Sequence, residues 1–247
     1  MSNEFKGQVA LVTGASRGIG RAIAVALAQR GLKVIGTATS ESGAQSISEG
    51  LSGFEGCKGI VLNVTDAAGV DAAVDAIIKE HGALHVLVNN AGITRDMLAM
   101  RLKDEDWDAV IDTNLKAVFR MSRAVMRPMM KQRHGRIISI TSVVGAAGNP
   151  GQANYAAAKA GVMALTRCAA VEAADVGVRI NAVAPSIAKH PFLAKVTSDE
   201  LLDELASKEA YGRAAEVWEV AATIAMLASD YTTYLTGEVV SISSQRA

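Results

Sequence analysis

Apolar positions along the chain alternate between two kinds of run. Short β-branched stretches, Val9–Thr13, Lys33–Thr37, Gly59–Leu62, His85–Asn89, Arg136–Ser142, Arg179–Ala184 and Glu238–Ile242, predict seven strands. In segments between them, such as Ile19–Arg30 and Ala67–Glu80, apolar residues recur at i, i+3, i+4 and i+7, the helical period. Asp104–Arg133 predicts a long, mostly helical stretch and Gln152–Asp175 a second, alanine-rich one, both against one face of the sheet. Strand, helix, strand alternation implies an α/β fold: a doubly wound, seven-stranded parallel sheet with helices on both faces. Segment Pro185–Arg213 is less regular and reads as a loop with short helices, placed to act as a lid over a crevice at the carboxyl ends of the strands. With no linker, repeat or low-complexity stretch, residues 1–247 read as one domain.

Composition narrows the function classes. Half of the 247 residues are hydrophobic, enough to bury roughly 70% of the unfolded surface without staples. Lys plus Arg equal Asp plus Glu at 25 each, so no global field gathers nucleic acid or anionic membrane, and anion binding must be local. Cys57 and Cys168 form neither a disulfide framework nor a zinc signature, and His81, His85, His134 and His190 lack metal-ligand spacing. The polar start MSNEFKGQ is not a secretory signal, and no apolar run reaches the eighteen or so residues of a membrane span. A cytoplasmic location is expected.

The first strand runs directly into Thr13-Gly14-Ala15-Ser16-Arg17-Gly18-Ile19-Gly20 and then a helix. Glycines at such a junction permit a tight turn and close approach of a diphosphate, whose charge meets the N–H groups of the helix N-terminus. The spacing is T-G-x-x-x-G-x-G, which matches the general dinucleotide fingerprint in kind only. Further along come Asn89-Asn90-Ala91-Gly92, Asn114, Ser142 and Tyr155-x-x-x-Lys159. In this order and spacing, the set resembles the short-chain dehydrogenase/reductase family over essentially the whole chain.

The resemblance implies a Rossmann-type fold and an oxidoreductase that acts on ketone or alcohol groups. It implies cofactor contacts from Gly14, Ser16, Arg17, Gly18, Ile19, Gly20, Thr37, Asn63, Val64, Asn90, Ala91 and Gly92, with Tyr155 and Lys159 at the nicotinamide end. NAD-selective relatives carry an acid at the end of the second strand. Here Ile35-Gly36-Thr37-Ala38-Thr39 has none, and Arg17 can pair with a 2′-phosphate, so NADPH is expected over NADH. Asn63-Val64 stands where the family has Asp-Val beside the adenine.

Tyr155 and Lys159, four apart on a helix, share one face. A neighbouring ammonium favours the phenolate, so the pair predicts a tyrosine titrating below its usual value of about 10. By resemblance Ser142 binds the ketone oxygen, Tyr155 protonates it, Lys159 holds the nicotinamide ribose, and Asn114 anchors a water that restores the proton through Lys159.

Up to about Tyr155 the chain looks most like 3-oxoacyl-[acyl-carrier-protein] reductases of bacterial fatty acid synthesis. From there on, Y-A-A-A-K-A-G-V-M-A-L-T-R-C and N-A-V-A-P-S-I-A-K-H-P-F-L resemble actinobacterial short-chain dehydrogenases of steroid breakdown, which implies a chimeric or recombined gene. Pro185-Ser186 replaces Pro-Gly, Ala188-Lys189-His190-Pro191 replaces an acidic lid segment, and Ser243-Ser244 replaces Gly-Gly. Of two arginines expected for carrier docking, Arg133 is present and Val176 stands in place of the other. Lys189 and His190 read as a solvated lid or as contacts to an anionic substrate. Met97, Met100, Met126, Met129 and Met130 read as core or interface filler.

The expected reaction is NADPH-dependent reduction of a 3-oxoacyl thioester, carried on CoA or acyl carrier protein. Alternatives are interconversion of hydroxyacyl-CoA, steroid-derived or other secondary alcohols and ketones, and a non-catalytic nucleotide sensor. The resemblance also implies a homotetramer built on the two long helices.

Overall fold

The computed structural model describes residues 5–189 and 199–244. All seven predicted strands form. In chain order the elements begin with strand β1 (Val9–Val12), helix α1 (Gly18–Ala28), β2 (Lys33–Ala38), α2 (Glu41–Gly50), β3 (Lys58–Val61), α3 (Ala67–His81) and β4 (Val86–Asn89). The second half adds α4 (Asp104–Ile111), α5 (Ala117–Gln132), β5 (Gly135–Ile140), the single turn α6 (Val144–Ala147), α7 (Ala153–Ala173), β6 (Val178–Pro185), β7 (Ala188–Lys189), α8 (Asp199–Lys208), β8 (Ala215–Glu216), α9 (Val217–Ala228) and β9 (Val239–Ile242).

The main sheet is parallel throughout, in the order β3-β2-β1-β4-β5-β6-β9. After β1 the chain winds outward through β2 and β3, then returns to the other side of β1 as β4. The resulting switch point opens a crevice at the carboxyl ends of β1 and β4.

Alternation along the strands divides the core. Ala10 and Val12 of β1 join Val34, Val86, Val88, Ile138 and Val183 beneath α1 and α9. Val9 and Leu11 face the other way, with Leu87, Ile137 and Ile180, beneath α3, α5 and α7. Both faces of each central strand are covered, so the strands read as near-continuous apolar runs. The packing fixes the edge at which the strands end, and with it the loops that carry the chemistry.

Asp104–Arg133 is helical as expected, up to Gln132, and a π turn, Asp112–Lys116, joins α4 to α5. The extra residue in that turn re-aims Asn114 into the protein, where it is fully buried. Strand β5 stops at Ile140, so Ser142 sits two residues beyond its end.

Candidate active site

The glycine turn fills the gap between β1 and α1. Gly14 has φ +66°, a conformation that needs no side chain. A Cβ on Gly20 would lie 2.2 Å from the Gly14 carbonyl oxygen and 2.4 Å from Asn90 Nδ2, so this position admits only glycine. Asn90 reaches across from β4 and donates to the carbonyls of Thr13 (2.9 Å) and Gly14 (3.0 Å). Thr13 Oγ1 returns the contact by accepting from the backbone N–H groups of Asn90 and Ala91. Turn and β4 loop are thereby stitched together before any ligand arrives.

Ser16, Gly18 and Ile19 lie along the turn, partly exposed, and Arg17 is exposed in an extended conformation at the N-terminus of α1. Thr37, expected to touch cofactor, is buried instead. Its hydroxyl accepts from Gly14 N–H (3.3 Å) and its carbonyl from Ala15 N–H (2.9 Å), so it supports the turn from below. The hydroxyl exposed just beyond β2 belongs to Thr39, next to Ser40, which caps α2 by accepting from Gly43 N–H. Asn63 Oδ1 already accepts from the N–H and hydroxyl of Thr65, while Val64 is buried below it.

Ser142, Tyr155 and Lys159 converge beside this crevice. The Ser142 hydroxyl faces the Tyr155 phenol closely enough to favour its ionised form. Ser142 Oγ accepts from Val144 N–H (3.2 Å) and lies 3.5 Å from the Pro185 carbonyl. Lys159 is buried, its Nζ 5.5 Å from the centre of the Tyr155 ring and donating to the Ile140 carbonyl at 2.7 Å. Helix α7 is held against β5 by Thr141 Oγ1, which donates to the Lys159 carbonyl.

The expected lowering of the Tyr155 pKa is reversed. Burial pushes the phenol up, outweighing the Ser142 hydroxyl, and the Asp96 charge adds in the same direction. Burial pulls the Lys159 ammonium down to about 8. Desolvation is thus the largest cause for both groups, and Lys159 Nζ is turned onto the Ile140 carbonyl.

Asn114 clamps the β4 loop with both ends of its amide, accepting from Ile93 N–H (2.9 Å) and donating to the Ile93 carbonyl (2.8 Å). Gly92 passes close by. Asn154, which the sequence reading passed over, is fully buried and donates to the carbonyls of Arg95 and Asp106. Gln152 adds a bond to Asp96, so the crevice wall at 93–97 is fastened to the start of α7. The sequence signal was an amide directly before Tyr155.

Of the segment 185–213, residues 190–198, including His190 and Pro191, lie outside the described residues. The described part pairs β7 with β8 and includes α8. Arg133, which caps the carboxyl end of α5, has φ 54° and donates to the Asp175 carbonyl, next to Val176. Among the described residues no helix is long and apolar enough to cross a membrane, and no His, Cys, Asp and Glu cluster has the form of a metal site.

Comparison with known proteins fits this geometry. A family model described as short chain dehydrogenase matches residues 8–201. The 3-oxoacyl-[acyl-carrier-protein] reductase FabG of Escherichia coli K12 is 54% identical over 239 residues, covering 97% of both chains. The Haemophilus influenzae protein of the same name is 48% identical, over 97% of this chain and 98% of its own. A Mycobacterium tuberculosis protein, (5R,7aS)-5-hydroxy-7a-methyl-1-oxo-2,3,5,6,7,7a-hexahydro-1H-indene-carboxyl-CoA reductase, is 50% identical over 243 residues, 97% of this chain and 93% of its own. Each of these three relatives aligns with 97% of this chain. By motif, by topology and by descent, this chain belongs to the short-chain dehydrogenase/reductase family.

Proposed function

We propose that this chain reduces 3-oxoacyl thioesters to 3-hydroxyacyl thioesters with NADPH. The observation that carries the reading is the convergence of Ser142, Tyr155 and Lys159 beside a glycine turn, in a chain 54% identical to a 3-oxoacyl-[acyl-carrier-protein] reductase.

The residues present fit the dinucleotide. Gly14, Ser16, Gly18, Ile19 and Gly20 give a turn with no side chain in the way of a diphosphate, ending on the N-terminus of α1. No acid ends β2, and Arg17 with Thr39 suits a 2′-phosphate. Asn63, Val64, Asn90, Ala91 and Gly92 border the same crevice. The bound nicotinamide supplies the hydride, and the protein supplies orientation and protons.

Ser142 donates a hydrogen bond to the ketone oxygen, and Tyr155 Oη gives it the proton. Burial suits this direction: with its pKa raised, Tyr155 is stored as the phenol, the form that a reduction consumes. Lys159, with a pKa near 8, exchanges protons readily near neutral pH and returns one to Tyr155. Asn114 keeps the β4 loop in place, and a water held at its turn of helix completes the relay.

A second reading, reduction of a ring ketone or a bulky acyl-CoA, draws on the Mycobacterium tuberculosis relative and on Ser186, Lys189, Ser243 and Ser244. Following NADPH absorbance with acetoacetyl-CoA, an acetoacetyl carrier protein and a cyclic ketone separates the two. No turnover of either thioester overturns the first reading, and turnover of the cyclic ketone alone establishes the second. The described parts of 185–213, β7 and α8 among them, serve the substrate end, and Arg133 meets a carrier protein. Trp107, Phe119 and Val171, exposed along α4, α5 and α7, fit a tetramer interface, which sedimentation checks.

A further inference from the structure

Ser186, just after β6, and Glu209, just after α8, are both fastened to one point, the end of β9. Ser186 N–H donates to the Ile242 carbonyl at 3.0 Å, immediately after Pro185, whose carbonyl faces Ser142 Oγ. Glu209 Oε2 accepts from Ser244 N–H (2.9 Å), Ser244 Oγ (3.0 Å) and Ser243 Oγ (3.5 Å). Ala210 N–H donates to the Ser244 carbonyl, and Tyr211 N–H reaches Ser244 Oγ. Gly212 follows with φ +64° and open space around it. Arg213 is then locked by two 2.8 Å bonds to Glu219 at the start of α9. These groups line a hollow of about 300 Å³ at the carboxyl edge of the sheet.

A single carboxylate accepting a backbone N–H and two hydroxyls is a charge-assisted joint, stronger than neutral bonds of the same number. It holds a turn that is otherwise exposed and is followed by a flexible glycine. We infer that Glu209, clasped by Ser243 and Ser244, is a positioning residue that sets α8 against the substrate crevice, and that the C-terminal serines thereby act on substrate affinity without touching substrate. The inference rests on the proposed thioester reduction for its kinetic readout only.

The test compares Glu209→Ala, Glu209→Gln and Ser244→Ala. Glu209→Ala raises KM for acetoacetyl-CoA about ten-fold, the scale of one charge-assisted bond, with kcat and NADPH affinity within about two-fold of the parent. Glu209→Gln, which keeps a neutral acceptor for Ser244 N–H but removes the charge, restores only part of it. Ser244→Ala, which spares that N–H, gives a smaller rise. An unchanged KM in Glu209→Ala, or equal losses in kcat and NADPH binding, overturns the clasp. Amide exchange at Ala210 and Tyr211 separates this from the reaction itself: it quickens in Glu209→Ala even if no thioester is turned over, and unchanged protection overturns the inference.

Discussion

Lys159 directs its ammonium at the Ile140 carbonyl, 2.7 Å away, while lying 5.5 Å from the centre of the Tyr155 ring. The side chain is buried with a charge that its surroundings only partly solvate, so it weakens the fold that it serves. Its pKa is lowered from 10.5 to about 8. The unfolded chain therefore binds more protons between those values, and stability rises as the pH climbs from 8 toward 10.5. Below pH 8 the strain is fully present, on the order of 3 kcal/mol. Lys159→Met is expected to melt above the parent at about pH 7, with the margin closing near pH 10, and to lose turnover. A calorimetric series across pH that shows a lower or pH-independent melting difference would refute this account.

Tyr155→Phe removes only the hydroxyl that Ser142 faces. Turnover should drop by roughly 10²–10⁴, the usual worth of a positioned general acid. NADPH affinity, measured by fluorescence titration, should stay within about three-fold.

At Gly20 the backbone of the turn leaves no room for a methyl group. Gly20→Ala is expected to push Gly14 and Asn90 apart and to weaken NADPH binding at least about ten-fold, with a loss of roughly 1–3 kcal/mol in stability from the overpacked contact. Wild-type affinity in this variant would remove the argument for the turn as a fixed cradle.

Asn114→Ala strands both polar groups of Ile93, since the amide serves the N–H and the carbonyl together. A buried unpaired donor and acceptor cost about 1–3 kcal/mol each. Asn114→Asp should rescue little, because a carboxylate cannot donate to the Ile93 carbonyl. Urea unfolding of the two variants decides it, and an Asp variant as stable as the parent would contradict the clamp.

Acid sensitivity should arise at the opposite edge of the sheet. His85 and His134 meet edge to face at 5.8 Å, with Arg136 and Arg179 nearby and Asp230 as the counter-charge. Burial lowers both imidazoles below their ordinary 6.5, and for His134 the Arg136 charge adds to it. The folded state therefore takes up protons later than the unfolded chain. Stability is complete above about pH 6.5 and declines as the pH falls below it. Protonation of His85 also forfeits the bond that its Nδ1 accepts from Val9 N–H. His134→Gln should flatten the acid side of the melting curve below about pH 6.5, as followed by calorimetry.

The strands were legible because a sheet covered on both faces needs unbroken apolar runs such as Val9–Val12 and Val86–Asn89. Tyr155 and Lys159 were legible because their spacing is local. The π turn at Asp112–Lys116 was not, since its cause is a hydrogen-bond partner, Ile93, far away in sequence. The inward role of Thr37 was hidden for the same reason: alternation gives a face but not which hydroxyl a neighbouring turn will claim. The direction of the Tyr155 shift failed because proximity to a cation is readable from spacing, whereas the depth of burial is not.

Thr13 and Asn90 bind the glycine turn to the β4 loop, and Asn114 grips that loop three residues further on. Nucleotide grip and catalytic floor are therefore one mechanical part. A ligand that quiets the turn also quiets the floor, and the ordering cost is met by the first molecule to bind, so the second finds a rigid surface at no further entropic loss. Ordered addition, with nucleotide ahead of the ketone, is the expected kinetic signature of three side chains joined in this way, and product-inhibition patterns check it.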